Sequence, residues 1–169
     1  MTLRYLTCLL LLVAVRSLAH GAADNHLQIM VIDNRIKMNI VVDMRVLDRV
    51  DADEDGYASL DELAAQSPAI QSWVRETLTV ADNMGNAGQV VFADITSDLH
   101  IAGANGDRVD HARIVQTLTF PAAVNELQLD LGDLARLVPE LRVTIIDAKT
   151  GLQYRLRDPS IAQSITLPG

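Results

Sequence analysis

Thiol chemistry is nearly missing from this sequence: the only cysteine among its 169 residues is Cys8, inside an apolar run near the N-terminus. A chain that loses that run would have no disulfide and no cysteine nucleophile, and would hold together by packing alone. Aromatic residues make up 4 % of the chain, too few to build stacked platforms for bases or flat cofactors. Positive charge is also short, with 14 basic residues against 22 acidic ones. That balance leaves no electrostatic footprint for nucleic acid or anionic lipid and suits the attraction of cations, although acidity also serves solubility. The catalytic signatures are absent too: there is no G-x-S-x-G, no H-E-x-x-H, no phosphate loop and no zinc-spaced cysteine set. Glu126, Asp130 and Asp133 read as solvated acids without a partner. The expectation is a protein that is not an enzyme.

The one marked apolar run, Leu6 to Val15, follows Arg4 and precedes the small residues Ser17, Ala19, Gly21, Ala22 and Ala23. Residues 1–19 contain no acid. This order of positive, apolar and small regions is that of a secretory signal peptide, with cleavage after Ala19, Gly21 or Ala23. The run is too short to cross a bilayer about 30 Å thick as a helix, which disfavours a retained anchor. Cys8 lies ahead of the main apolar stretch, unlike a lipoprotein cysteine. Removing residues 1–19 takes Arg4 and Arg16 from the 14 basic residues and leaves 12 against 22 acidic ones, a net charge of −10. Residues 20–169 are then expected to form one exported domain, periplasmic or secreted.

Hydropathy in that domain is mostly of period two, the strand period. Leu27, Ile29 and Val31 alternate with polar or flexible neighbours, as do Ile36, Met38, Ile40 and Val42. Asp33-Asn34 between them tolerates a tight hairpin turn. That turn pairs Val31 with Ile36, Ile29 with Met38 and Leu27 with Ile40, so register and pattern agree. Residues 43–77 interrupt the alternation with helical spacing: Val46, Leu47 and Val50 on a short helix over 43–50, a second helix beginning at Ser59, and a third at Ser67-Pro68 carrying Ile70, Trp73 and Val74. Further strands are expected at 77–81, then with Val91, Ala93, Ile95, Leu99 and Ile101 on one face, then with Ala112, Ile114, Leu118 and Phe120. Leu127, Leu129 and Leu131 alternate again, and Val143 to Leu156 forms a last hairpin about Lys149-Thr150-Gly151. About seven or eight strands predict a mainly β domain, a sandwich or partly closed barrel, with the helical segment inserted.

The insertion carries the specific chemistry. Asp51-Ala52-Asp53-Glu54-Asp55-Gly56-Tyr57-Ala58-Ser59-Leu60-Asp61-Glu62 matches the twelve-residue EF-hand calcium loop. Calcium takes six to eight hard oxygen ligands. Asp51, Asp53 and Asp55 offer short carboxylates at positions one, three and five. Gly56 permits the sharp turn, Tyr57 offers its carbonyl, and Ser59 acts directly or through water. Glu62 reaches back with both oxygens. Ser59 and Glu62 also have the spacing of a capping box. The competing reading is a solvated acidic turn that starts a helix. EF-hand loops usually pair through position eight; here a single loop has Ala58 at that position, so a second molecule or the β-domain has to support it. A structural calcium site of modest affinity is expected, not a cytosolic-type switch.

Two weaker patterns involve histidine. A turn over Ala104–Asp107 would set His100 opposite His111 and Asp98 opposite Arg113, a pairing able to hold a transition metal; an outward polar strand face is the alternative. Cleavage after Ala19 would give His20 a free amine beside its imidazole, a copper or nickel chelate, with His26 six residues on; a disordered terminus is the alternative.

The order of these features resembles the exported N-terminal region of bacterial HupE/UreJ-like membrane proteins, described as hydrogenase or urease accessory proteins and linked to nickel. The resemblance rests on Ala19-His20, the Leu27–Val42 hairpin, the acidic loop with Asp51, Asp53, Asp55, Gly56 and Glu62, then Leu78, Val80, Asp130, Leu131 and the Thr150-Gly151 hairpin. Those proteins continue into a multi-helix membrane domain that is not found in these 169 residues. The resemblance therefore implies a membrane or periplasmic protein partner, or an accessory module of metal transport, and not transport itself.

Overall fold

The computed structural model describes residues 25–47, 50–103 and 106–168, and the side chains of 98–107 lie outside that description. The signal-peptide reading of 1–19 and the chelate at His20 fall outside the described residues. The fold is mainly β. Strands β1 (His26–Ile32), β2 (Arg35–Asp43), β3 (Ala58–Ser59), β5 (Gln89–Gly103), β6 (Gly106–Thr119), β8 (Arg142–Asp147) and β9 (Gln153–Arg155) form one seven-stranded sheet. Its order is β3-β6-β2-β1-β8-β9, with β5 on the other edge of β6. Strands β4 (Thr79–Asp82), β7 (Glu126–Asp130) and β10 (Gln163–Thr166) form a three-stranded sheet in the order β10-β7-β4. All pairings are antiparallel except β1 with β8, and neither sheet closes into a barrel.

The first hairpin has the register its hydropathy demands: Leu27 pairs with Ile40, Ile29 with Met38 and Val31 with Ile36. Asp33 takes the positive φ of the turn, 52°. These six side chains are all buried, because a period of two keeps them on one face while the register aligns them. They join Ile114 and Leu118 of β6, Leu127 and Leu129 of the second sheet, and the helix residues Ile70 and Val74 in one core.

Strand β5 departs from the expected alternation. Val91, expected on the core face, is 56 % exposed, and Val90 packs toward the core instead. The register shifts between Val90 and Phe92, so a bulge resets the alternation. On β6 the inward set is Ala112, Ile114, Gln116 and Leu118, which makes Gln116 a core-face residue by strand geometry despite its amide.

The helical reading needs two corrections. No helix spans 43–50. Strand β2 runs to Asp43, whose side chain caps a short 3-10 turn, Met44–Val46, by accepting from Arg45 N. The β-branched Val41 and Val42 continue the pairing with β6 up to Asp43 opposite His111. The two helices expected at Ser59 and Ser67 are one, α1 (Leu60–Thr77), with Pro68 inside it. Leu63, Ile70, Val74 and Thr77 form one buried stripe across the proline. Ala64 and Pro68 face solvent, so the Ala64 carbonyl that Pro68 cannot bond is open to water. A short helix, α2 (Gly132–Leu137), occupies a segment without a sequence signal for it.

Two acids hold turns. Asp82, 5 % exposed, accepts from Met84 N, Asn86 N and Asn86 Nδ2. Asp147 accepts from the Thr150 hydroxyl and Lys149 N. The Asn86 side chain, followed by its backbone N–H, holds the Asp82 carboxyl below the usual range against the opposing effect of burial. The Thr150 hydroxyl does the same for Asp147. A depressed folded pKa gives stability that is present above the unfolded value, about 3.9, and lost as pH falls through the folded value. Urea unfolding between pH 2 and 7 should therefore show Asp82→Asn less stable than the parent above about pH 4, with the difference vanishing in acid. Gly88→Ala should cost about 1–3 kcal/mol by the same measurement, since its Cβ would meet Phe120 Cζ at 2.7 Å and Leu118 Cβ at 2.9 Å.

Candidate metal centre

The chain between β2 and β3 leaves and rejoins the same edge of β6. Asp43 ends β2 opposite His111, and Ala58 resumes pairing opposite Val109. The acidic segment is the excursion between these points. Its aspartates shape it through bonds from their carboxylates to nearby backbone N–H groups, the habit that makes aspartate a turn residue. Asp51 accepts from Asp55 N at 3.1 Å and from Gly56 N at 2.9 Å. Asp53 accepts from Asp55 N at 3.2 Å, and Asp55 from Tyr57 N at 2.9 Å. Gly56 has φ of 88° and Glu54 of 60°, so the chain turns sharply through left-handed conformations.

These turns bring Asp51, Asp53 and Asp55 together, with one ligand oxygen from each within 4.8 Å of the others. Among the described residues this is the one group of three or more potential metal ligands so arranged. Asp51 is half-buried; Asp53 and Asp55 are exposed.

Glu62 closes the loop from the other end. One carboxylate oxygen accepts from Ala52 N at 2.7 Å and Asp53 N at 3.3 Å. The other accepts from Ser59 N and the Ser59 hydroxyl, each at 2.8 Å. Ser59 Oγ in turn accepts from Glu62 N at 3.2 Å, which completes the expected capping box at the start of α1. Position twelve thus reaches back to positions two, three and nine, while lying outside the three-aspartate group. The Ser59 N–H and hydroxyl bonds hold the Glu62 carboxyl below its usual range. Asp53 is displaced the other way: the Asp55 N–H lowers its carboxyl, but partial desolvation and repulsion from Asp55, Glu62 and Asp51 together raise it.

The loop rests on the sheet at three adjoining residues. Ala58, at position eight, pairs with Val109, and Ser59 with Arg108. Position eight is thus paired by the large sheet of the same chain. The Tyr57 ring lies under the Arg108 guanidinium, 4.2 Å from centroid to Cζ, and Arg108 bonds Asp110 at 2.9 Å. This support was not legible in sequence, because Tyr57 and Arg108 are brought together only by β3–β6 pairing.

His100 and His111 are not opposite each other in the register. His111 lies opposite Leu99, and His100 is in register with Val109. Arg113 pairs with Thr96. The strands turn between Gly103 and Gly106, with an irregularity near Leu99, instead of over 104–107. His111 is buried, with Nδ1 lacking a hydrogen-bond partner. Of the acids read as solvated, Asp133 pairs with Arg136 and Asp130 accepts from Gly132 N at 3.1 Å, so both serve the start of α2. Glu126 accepts from the Ser164 hydroxyl across β7 and β10.

No protein-family model matches the chain, and a search of curated proteins finds no match. Local geometry yields a direct test: Gly56→Ala adds a Cβ with no atom within 4 Å, so its cost should be the left-handed backbone penalty alone, about 1–2 kcal/mol in metal-free urea unfolding.

Proposed function

We propose that Asp51 to Glu62 binds one calcium ion and that the domain is a non-enzymatic binding module in which the ion clips the excursion to the sheet. The observation that carries this reading is the convergence of Asp51, Asp53 and Asp55 on a loop turned by left-handed Gly56. The donors are all oxygen, which selects a hard cation over the metals favoured by thiolate or imidazole. Calcium tolerates irregular cages at 2.3–2.6 Å, whereas magnesium demands a tight octahedron at about 2.0–2.1 Å. Asp51, Asp53 and Asp55 would give carboxylate oxygens, Tyr57 its carbonyl and Ser59 its hydroxyl or a water. Glu62 would turn its carboxylate from the N–H groups it now caps toward the ion.

A structural role is favoured over a sensing one by the same geometry. Sensor EF-hands work by changing the angle between two helices. Here the described chain before the loop is a strand and a 3-10 turn, and only α1 follows it as a helix. Calcium would instead relieve the repulsion that raises Asp53 and tie the loop to Ala58 and Ser59 on β6. The exported address read from residues 1–19 would expose the site to extracellular-type calcium levels, for which affinities of about 10⁻⁴–10⁻³ M suffice.

Calorimetry at pH 7 should give one calcium site in the unaltered protein and a heat reduced to the dilution level in Glu62→Gln. Calcium at about 100 times its Kd should add about 2.7 kcal/mol of stability that a chelator removes. Equal heats from both proteins, or a melting point indifferent to calcium, would overturn the reading.

A further inference from the structure

Strand register traces the face of the large sheet that turns away from the core. One row of residues crosses six strands: Asp94 on β5, Val115 on β6, Asn39 on β2, Gln28 on β1, Thr144 on β8 and Arg155 on β9. Paired residues share a face, and the neighbours of this row along the strands, such as Leu27, Ile40, Ile114 and Ile145, point into the core. The next row outward includes Phe92, Lys37 and Met30, and the one after it Arg35 and Ile32. Phe92 is 52 % exposed and Ile32 43 %, so apolar surface is open on this face. Toward the acidic loop Val41 is fully buried, and the open part ends there. Asp94 and Arg155 are exposed at opposite ends of their row. They are five strand spacings, or about 24 Å, apart. Neither joins an ion pair among the described residues.

We propose that a second copy of this chain docks face to face on this surface, about a two-fold axis that runs parallel to the strands between β1 and β2. The argument is that the row is complementary to its own reverse. Such an axis reverses the strand order and keeps the rows. Asp94 of each copy then faces Arg155 of the other, Val115 faces Thr144, and Asn39 faces Gln28. In the flanking rows Arg35 and Lys37 lie over Ile32 and Met30, where their hydrocarbon stems cover apolar surface. The contact is isologous, so the charge pair forms twice. Six strands about 4.8 Å apart and three rows about 7 Å apart give on the order of 600 Å² per copy. Twice that area stands at the low end of specific interfaces, which suits a weak dimer. The two charge pairs fix its orientation, while both copies share the same net negative charge.

The test is sedimentation equilibrium on the whole protein in chelator, so that the result does not depend on an ion in the acidic loop. A dimer should appear as concentration rises. Asp94→Lys and Arg155→Glu each set like charges face to face twice, and each should weaken the dimer roughly tenfold. The double variant restores opposite charges and should associate nearly as well as the parent. Lys149→Glu, the same change of charge as Arg155→Glu but in an exposed turn away from the row, should leave association unchanged. The proposal is overturned if the protein stays monomeric at every concentration, or if either single change leaves the dimer intact. A double variant no better than the single ones overturns it too, by placing the contact elsewhere, such as along the edge of β5. Equal effects of Lys149→Glu and Arg155→Glu also overturn it, by showing that net charge alone is at work.

Discussion

The pairing of Ala58 and Ser59 with Val109 and Arg108 is the constraint on which the acidic segment depends. Among the described residues of 44–57, only Met44, Leu47 and Val50 are buried, and the acidic ones crowd carboxylates that repel one another. Closing such an excursion costs chain entropy, which the excursion's own contacts offset poorly. Strand β6 supplies the closure by accepting β2 and β3 in line along one edge. The turn bonds of Asp51, Asp53 and Asp55 then act within ends that are already fixed.

The same constraint orients α1. Ser59 is at once the last residue of β3 and the N-cap of the helix, so the strand pairing sets where the helix begins. Glu62 belongs to both elements, since its carboxylate caps Ser59 and also holds the backbone of Ala52 and Asp53. Loop, cap and helix are therefore one mechanical unit. The buried stripe through Leu63, Ile70 and Val74 anchors that unit to the core and carries the helix across Pro68. At the far end of the stripe, Val74 and then Leu78 are buried in the core.

Much of this was legible in the sequence where a local rule applied. The first hairpin could be read to the residue, because a period of two and a tight turn leave one register that buries Leu27, Ile29, Val31, Ile36, Met38 and Ile40 together. The Ser59–Glu62 capping box was equally readable, since both partners lie within one helical turn. Reading failed where a distant partner decided the outcome. Val41 to Asp43 stayed in a strand because β6 was there to pair with them. Pro68 stayed inside a helix because core burial on both sides outweighed its missing hydrogen bond. Val91 turned outward because a bulge against β6 shifted the alternation, and the register of the same strands sets His111 opposite Leu99 instead of His100.

By itself the sequence determined the order of side chains along the acidic loop, the alternation of the main strands and the predominance of β structure, all of which follow from contacts between near neighbours. The tertiary structure alone decided what holds that loop. Position eight joined β6, Tyr57 came under Arg108, and no α-helix formed ahead of Asp51 among the described residues. Each of these depends on backbone hydrogen bonds to β6, some fifty residues away in the chain. Strand pairing between such distant segments depends on which other edges are already occupied, and no local pattern encodes that.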